Sequence, residues 1–270
     1  MHPLATLDPI PGLDHTLEFY THDPEQDLVS RKLHQERCWE PFESQLWLAS
    51  LGEGDVVIDA GANLGYYSVL SAHSAVPALR VFALEPDPAN YQLLCANIER
   101  NKAQASVVAM QVALGEFSGE AELHLSSSNK GDHQLFSASE ERDSVLVSVL
   151  RGEDALSEMA DRIDLVKIDT QGTELAVIEG LWPMLLKSRS RVRLLIELTP
   201  FSLRAAGASG AQLIERLSTL NLPFAIIDHV EHRIVPTSAE ALVEWCQNVD
   251  SDPKDEGFMN IFVGEPPRLG

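Results

Sequence analysis

Cysteine is scarce in this chain: Cys38, Cys95 and Cys246 are the only three, an odd number with no metal-type spacing. That excludes a disulfide framework and a thiolate metal site, and makes reduced thiols in a cytoplasmic protein the expectation. Cys95 falls in a helical pattern and reads as a core residue. Positive charge is also short, with 20 lysines and arginines against 41 acids and a net charge of -21. The sequence pI near 4.7 would repel a phosphate backbone, which excludes nucleic acid as the expected partner. Arg189, Arg191 and Arg193 form the one small basic cluster, read as a solvated edge flanking a strand. Long apolar runs are missing too: none approaches the ~18 residues of a spanning helix. Met1-His2-Pro3-Leu4 has neither a basic start nor an apolar signal core. No membrane segment, no secretion signal, no metal cluster and no internal repeat are expected. What is present is ordinary for a soluble globular chain of 270 residues, with 44% apolar and 23% charged residues, enough for one sizeable α/β domain with appendages.

The stretch Asp55 to Ser68 organises the rest. Val56, Val57 and Ile58 favour a buried strand running into Asp59; Gly61 and Gly65 punctuate a turn; Leu64 to Leu70 resume with helical spacing. A strand, a glycine loop and a helix start bring peptide N–H groups close to a ligand. Gly61-Ala62-Asn63-Leu64-Gly65 reads G-x-N-x-G, and Tyr66 stands where a dinucleotide fingerprint requires its third glycine, so NAD is disfavoured. Asp59 would repel a pyrophosphate and suits a ligand carrying an ammonium and a sulfonium, S-adenosylmethionine. A second buried strand, Leu79 to Leu84, ends at Glu85-Pro86, twenty residues beyond Gly65. A carboxylate there can accept from both ribose hydroxyls. Asp87 before Pro88 reads as an N-cap.

Further strands are expected at Ser106 to Met110, Ile163 to Ile168, Val192 to Ile196, Phe224 to Ile227 and Gly257 to Val263. Glu120 to Leu125 and Val145 to Val149 read as inserted strands. The loop between them carries His133, a side chain suited to taking a proton near neutral pH. Ligands of an open parallel sheet collect outside the carboxyl ends of its strands, where Asp59, Glu85, Asp169 and Glu197 should converge. Glu174 divides evenly between a capping role and a site role. Residues 1–52 read as an N-terminal arm, with a strand near Thr16 to Tyr20, and a helical lid over Glu25 to Leu51 interrupted at Pro41. Trp39 and Phe42 are possible pocket walls of that lid. Residues 53–270 read as the cofactor-binding domain.

Three motifs, Asp59 to Tyr67, Phe82 to Pro86 and Asp164 to Glu174, resemble the FkbM-type methyltransferases of the class I S-adenosylmethionine-dependent fold. The resemblance spans roughly Trp39 to Leu198, with a weaker echo in Asn260 to Val263. It implies a Rossmann-like α/β fold: a seven-stranded, mostly parallel sheet with its last strand antiparallel, and helices on both faces. It also implies methyl transfer to a hydroxyl of a sugar or other small-molecule acceptor. Gly61, Ala62, Asn63, Gly65, Tyr66, Glu85, Pro86 and Asp169 would then line the cofactor, with Gln111, Val112 and Ala113 against the adenine. For the general base the ranking is Asp169, then His133, then Glu197. The chain departs from the family pattern in carrying Gln171 where Glu is usual. Alternatives are N- or carboxyl-methylation, a non-catalytic cofactor-binding module and a nucleotide-dependent oxidoreductase. Acceptor identity is not legible in the sequence, and a homo-oligomer is compatible with it.

Overall fold

The computed structural model describes residues 2–13, 15–136, 142–252 and 254–269. In the arm, β1 (Leu4–Thr6) pairs antiparallel with β2 (Glu18–Tyr20), so the expected strand is there with a partner that its short sequence did not announce. α1 (Leu28–Gln35) starts at Asp27, whose carboxylate accepts from Ser30 N. α2 (Pro41–Ser50) follows. Pro41 does not interrupt one helix; it opens the second, at the position where a missing N–H costs nothing. The break between the two helices holds Arg37 and Glu40 at positive φ, 54° and 43°.

β3 (Val56–Ala60), α3 (Tyr66–His73), β4 (Arg80–Leu84), α4 (Pro88–Arg100) and β5 (Val107–Met110) make the first half of the sheet. A side sheet follows: β6 (Ala113–Gly115), β7 (Gly119–His124) and β8 (Ser144–Arg151), in the order β6-β8-β7. Both inserted strands were expected, and part of their connecting loop, residues 137–141, lies outside the described residues. Then come α5 (Gly152–Leu156), β9 (Leu165–Ile168), α6 (Glu174–Ser188), β10 (Arg193–Leu198), α7 (Pro200–Ala205), α8 (Gly210–Ser218), β11 (Phe224–Asp228), β12 (Arg233–Thr237), α9 (Ala239–Ser251) and β13 (Met259–Val263).

The main sheet has eight strands among the described residues, in the order β12-β11-β13-β10-β9-β3-β4-β5. This corrects the expected seven. The last strand, β13, does insert antiparallel, between β10 and β11. The additional strand is β12, an antiparallel edge strand on β11. Its Pro236 argues against a strand in sequence, yet an edge tolerates a residue with no N–H to donate.

Side chains alternate across each strand, and the two faces of the sheet have different cores. Val56, Ile58, Val166, Ile168, Leu194 and Ile196 pack with α6, α8 and α9. On the other face Val57, Leu165 and Leu195 join α3, α4 and the arm, including the fully buried Phe19, Leu33, Leu46 and Trp47. Asn97 on α4 ties the arm down: Tyr20 N donates to its Oδ1 at 2.6 Å, and its Nδ2 donates to Tyr20 O and Leu64 O. At the amino ends of the strands, Arg191 and Arg193 are not simply a solvated edge. Arg193 pairs with Asp55 at 2.6 Å and Arg191 with Asp164 at 2.6 Å, both acids being buried. Cys246 is fully buried, and Cys95 is only partly so.

Candidate active site

The odd-numbered residues that face the arm continue past the carboxyl ends of their strands as polar groups. Asp59 lies opposite Lys167 and Ala83 in register; two places on come Gly61, Glu85 and Asp169. Leu195 pairs with Lys167, and the same step of two sets Glu197 beside Asp169. Period-two alternation thus delivers Asp59, Glu85, Lys167, Asp169 and Glu197 to one face and one edge. The arm covers that face. Between them lies a cavity of about 390 Å³ whose wall includes these five residues and, from the arm, Lys32, Trp39 and Glu40. That volume is in the range of small-molecule sites.

The glycine loop is shaped by close approach as well as by torsion. Gly61 has φ 80°, and a Cβ there would collide with the Asp169 carbonyl oxygen, so the β3 and β9 loops can touch only through glycine. Gly65, at φ 89°, is not in the cavity wall; a Cβ would come within 2.6 Å of Leu94 Cδ1, so this glycine serves helix packing. Ala62, Asn63, Tyr66 and Pro86 do line the cavity. Tyr66 turns its hydroxyl toward the arm, within 3.1 Å of Ser44 Oγ and 3.3 Å of Trp39 N. Glu85 is 5% exposed, with Oε2 accepting from Asn63 N at 2.8 Å and Oε1 from Asp87 N at 2.9 Å. Burial lifts its carboxyl to about 7, against the lowering effect of those N–H groups. Asn63 Oδ1 is buried with no hydrogen-bond partner among the described residues.

Beyond the loop, the wall becomes an ionic cluster. Lys167 Nζ donates to Asp169 Oδ2 at 2.8 Å and sits 4.8 Å from the centre of the Tyr67 ring, a cation–π arrangement. Burial works against this ammonium, but Asp169, Glu40 and Asp59 outweigh it and raise its pKa. Burial raises the Asp59 carboxyl, opposed by Lys167 and by Ser68 Oγ, which donates to Asp59 Oδ2 at 2.7 Å. Burial likewise raises Glu40, whose Oε2 accepts from the Tyr67 hydroxyl at 2.6 Å. For Asp169 burial is outweighed by Lys167 and by hydrogen bonds, and its carboxyl lies below the usual value. Gln171 Nε2 donates to Asp169 Oδ1 and to Glu197 Oε2, each at 2.7 Å. Burial, then the neighbouring Asp169, Glu174 and Glu40, push Glu197 well above the usual range.

Several expected residues fall elsewhere. Gln111 is exposed and Val112 packs into the core with Leu84 and Leu114, so of the three adenine candidates only Ala113 reaches the cavity, together with Leu114. Between β5 and β6, Val112 N donates to Met110 O at 3.0 Å, and Val112 shares the face of Met110. His133 lines the cavity, but the charges that act on it are Asp87, Lys130, Asp132 and His22, on the Glu85 side. Its Nδ1 accepts from Ser126 N at 3.0 Å, so the neutral ring carries its proton on Nε2 and has no lone pair left for a substrate proton. Burial keeps it neutral by lowering its pKa. Glu174 caps its own loop, accepting from Thr170 N and Gly172 N at 3.1 and 3.0 Å. Trp39 lines the cavity, whereas Phe42 stacks on His232. Glu40, Lys167 and Tyr67 were missed as site residues. The period-two step back from Asp169 would have found Lys167, and the pair Tyr66-Tyr67 at a helix start would have suggested Tyr67.

The fold and this site define a Rossmann-like α/β protein whose cavity lies at the carboxyl edge of a mostly parallel sheet. The family described as the methyltransferase FkbM domain matches residues 59–224, and the chain belongs to that family. It is 26% identical over 188 residues to "Methyltransferase sdnD" of Sordaria araneosa, covering 58% of this chain and 69% of that one. It is 27% identical over 139 residues to "Hexuronic acid methyltransferase AglP" of Haloferax volcanii, covering 51% of this chain and 54% of the relative. Among solved structures, the methyltransferase FkbM from Methylobacillus flagellatus KT superposes with a TM-score of 0.47 at 14% identity, over 79% of this chain and 44% of the other. The match therefore spans about half the length of the last two. No helix among the described residues is long and apolar enough to cross a membrane.

Proposed function

We propose that the protein transfers the methyl group of S-adenosylmethionine to a hydroxyl oxygen of a sugar or other small-molecule acceptor. The observation that carries this reading is the single cavity joining the glycine loop and Glu85 to the Asp169–Glu197 pair. The residues suit that cofactor. A cavity with five carboxylates, Glu40, Asp59, Glu85, Asp169 and Glu197, around the buried Lys167 favours a ligand with positive charge. The unpartnered Asn63 Oδ1 offers an acceptor to a ligand donor. Glu85 would take the ribose hydroxyls, the Gly61 to Asn63 loop would pass close to the ligand, and Asp59 and Asp169 would face its cationic part.

When bound, S-adenosylmethionine supplies an electrophilic methyl on a sulfonium. The chain has to hold an acceptor hydroxyl in line and receive its proton. Positioning is the larger effect, about 7 to 11 kcal/mol, against about 3 to 5 kcal/mol for a general base. Asp169 and Glu197 line the acceptor end of the cavity with Trp39 and Tyr67, and they are favoured over His133, whose free ring nitrogen is already protonated. The hexuronic acid relative makes sugars a first acceptor class to screen, and the excess of acids over bases weighs against nucleic acid.

The test is native mass spectrometry of the full chain titrated with S-adenosylmethionine and S-adenosylhomocysteine, then incubation with a labelled methyl donor and panels of sugars, hydroxylated natural products and amines. Cofactor binding with label recovered on oxygen supports the reading. A folded sample that binds neither compound overturns it, and label recovered only on nitrogen replaces the acceptor class.

A further inference from the structure

Gln171 is held in a strained backbone position, φ 53°, in a region that non-glycine residues seldom occupy. Both protons of its side-chain NH₂ are used there. An amide NH₂ has two protons, and Nε2 spends one on Asp169 Oδ1 and one on Glu197 Oε2, both at 2.7 Å. The second oxygen of Asp169 takes the Lys167 ammonium at 2.8 Å. Two carboxyl groups from adjacent strands are thus tied to one donor.

We propose that Gln171 is a positioning residue whose amide holds Asp169 and Glu197 together as the unit that receives the acceptor's proton. This rests on the methyltransfer reading above and assigns the base within it to a pair rather than to one residue. The groups facing the pair are Lys167 on β9, Asp59 on β3, Glu40 ahead of α2 and Glu174 on α6. Across β13, Asn260 lies opposite Glu197 and donates to Glu43. One cation is set among several acids, so two adjacent carboxyl groups cannot both hold a full charge, and one proton stays on the pair. It stays on Glu197, which makes no ion pair among the described residues, and Asp169 keeps the charge opposite Lys167. An ionised glutamate at position 171 would supply no donor and add a third acid. The glutamine therefore sets the charge state of the pair in this chain. In the reaction the acceptor oxygen bonds the methyl carbon, the electrons of the broken C–S bond stay on sulfur, and the hydroxyl proton passes to the pair. The pair then holds two protons and returns one to water.

The test titrates the full chain, labelled with ¹³C at Asp and Glu carboxyl carbons, by NMR with and without S-adenosylhomocysteine, using Asp169→Asn and Glu197→Gln for assignment. The expected result is a Glu197 midpoint above the ordinary carboxylate range and an Asp169 midpoint below it. Gln171→Leu, which removes both donated bonds, is expected to move both midpoints upward by about one pH unit. Gln171→Asn, too short to reach both carboxyls, is a second variant moving them the same way. Once an acceptor turns over, the acid limb of kcat moves by the same amount. Midpoints unchanged in a folded Gln171 variant, or both groups titrating at ordinary values in the parent, would overturn the inference. Absence of S-adenosylhomocysteine binding would instead strike the methyltransfer reading and leave the titration standing.

Discussion

Replacing Glu85 is the sharpest probe of the cofactor end. In Glu85→Ala the cavity loses an acceptor for ribose hydroxyls, and Asn63 N and Asp87 N lose the oxygens that they reach at 2.8 and 2.9 Å. Hydrogen bonds to an ionised group are worth about 1.5–3 kcal/mol each, and loss of one or two, partly replaced by water, predicts a roughly ten- to thousand-fold weaker Kd for S-adenosylhomocysteine. Calorimetric titration measures this directly. The pH dependence adds an independent reading. Ribose donors favour the ionised form, so affinity is complete above about 7, the value to which burial lifts this carboxyl, and declines as pH falls through it. In Glu85→Gln that decline disappears. For the unliganded fold the sign is opposite. A folded pKa above the unfolded one stabilises at low pH, and this contribution is lost as pH rises through 7, so apo Tm should fall over that window. Unchanged affinity in Glu85→Ala, or a parental Kd flat from pH 8 to 5.5, would refute the ribose assignment.

Other perturbations give equally plain outcomes. Lys167→Met leaves Asp59, Asp169 and Glu40 without their shared cation and should cost about 3–5 kcal/mol, read as a lower denaturant midpoint that recovers on acidification as the acids protonate. A midpoint unchanged at pH 8 would show that the cluster is not balanced by this lysine. Gly61→Ala must accommodate both positive φ and a collision with the Asp169 carbonyl oxygen; loss of S-adenosylhomocysteine binding with a destabilisation above about 1 kcal/mol is expected, and parental binding would contradict the loop contact.

The glycine loop and the rim acids were legible because they obey local rules. A β-branched run ends in an acid at Asp59, and buried strands end at Glu85 and Asp169. Glu40 was not legible, since its place depends on a left-handed turn just before Pro41 that no propensity announces. Nor was the bridge that Gln171 makes between Asp169 and Glu197, which exists only through the register of β9 against β10. β12 was hidden by Pro236, a breaker in isolation and harmless at an edge. Val112 keeps the face of Met110, two places before it, and so packs into the core instead of the cavity.

The anchoring of the arm has a bearing on how such a chain is cut. Family similarity begins at residue 59, but Trp47 and Phe19 lie in the same apolar layer as Leu70 and Leu93, and Asn97 clasps both Tyr20 and the carbonyl of Leu64 beside the glycine loop. The homology boundary is therefore not a folding boundary. An expression fragment trimmed to the matched residues would lack one wall of its own interior, and the loop nearest the cavity would lose the brace that holds its far end.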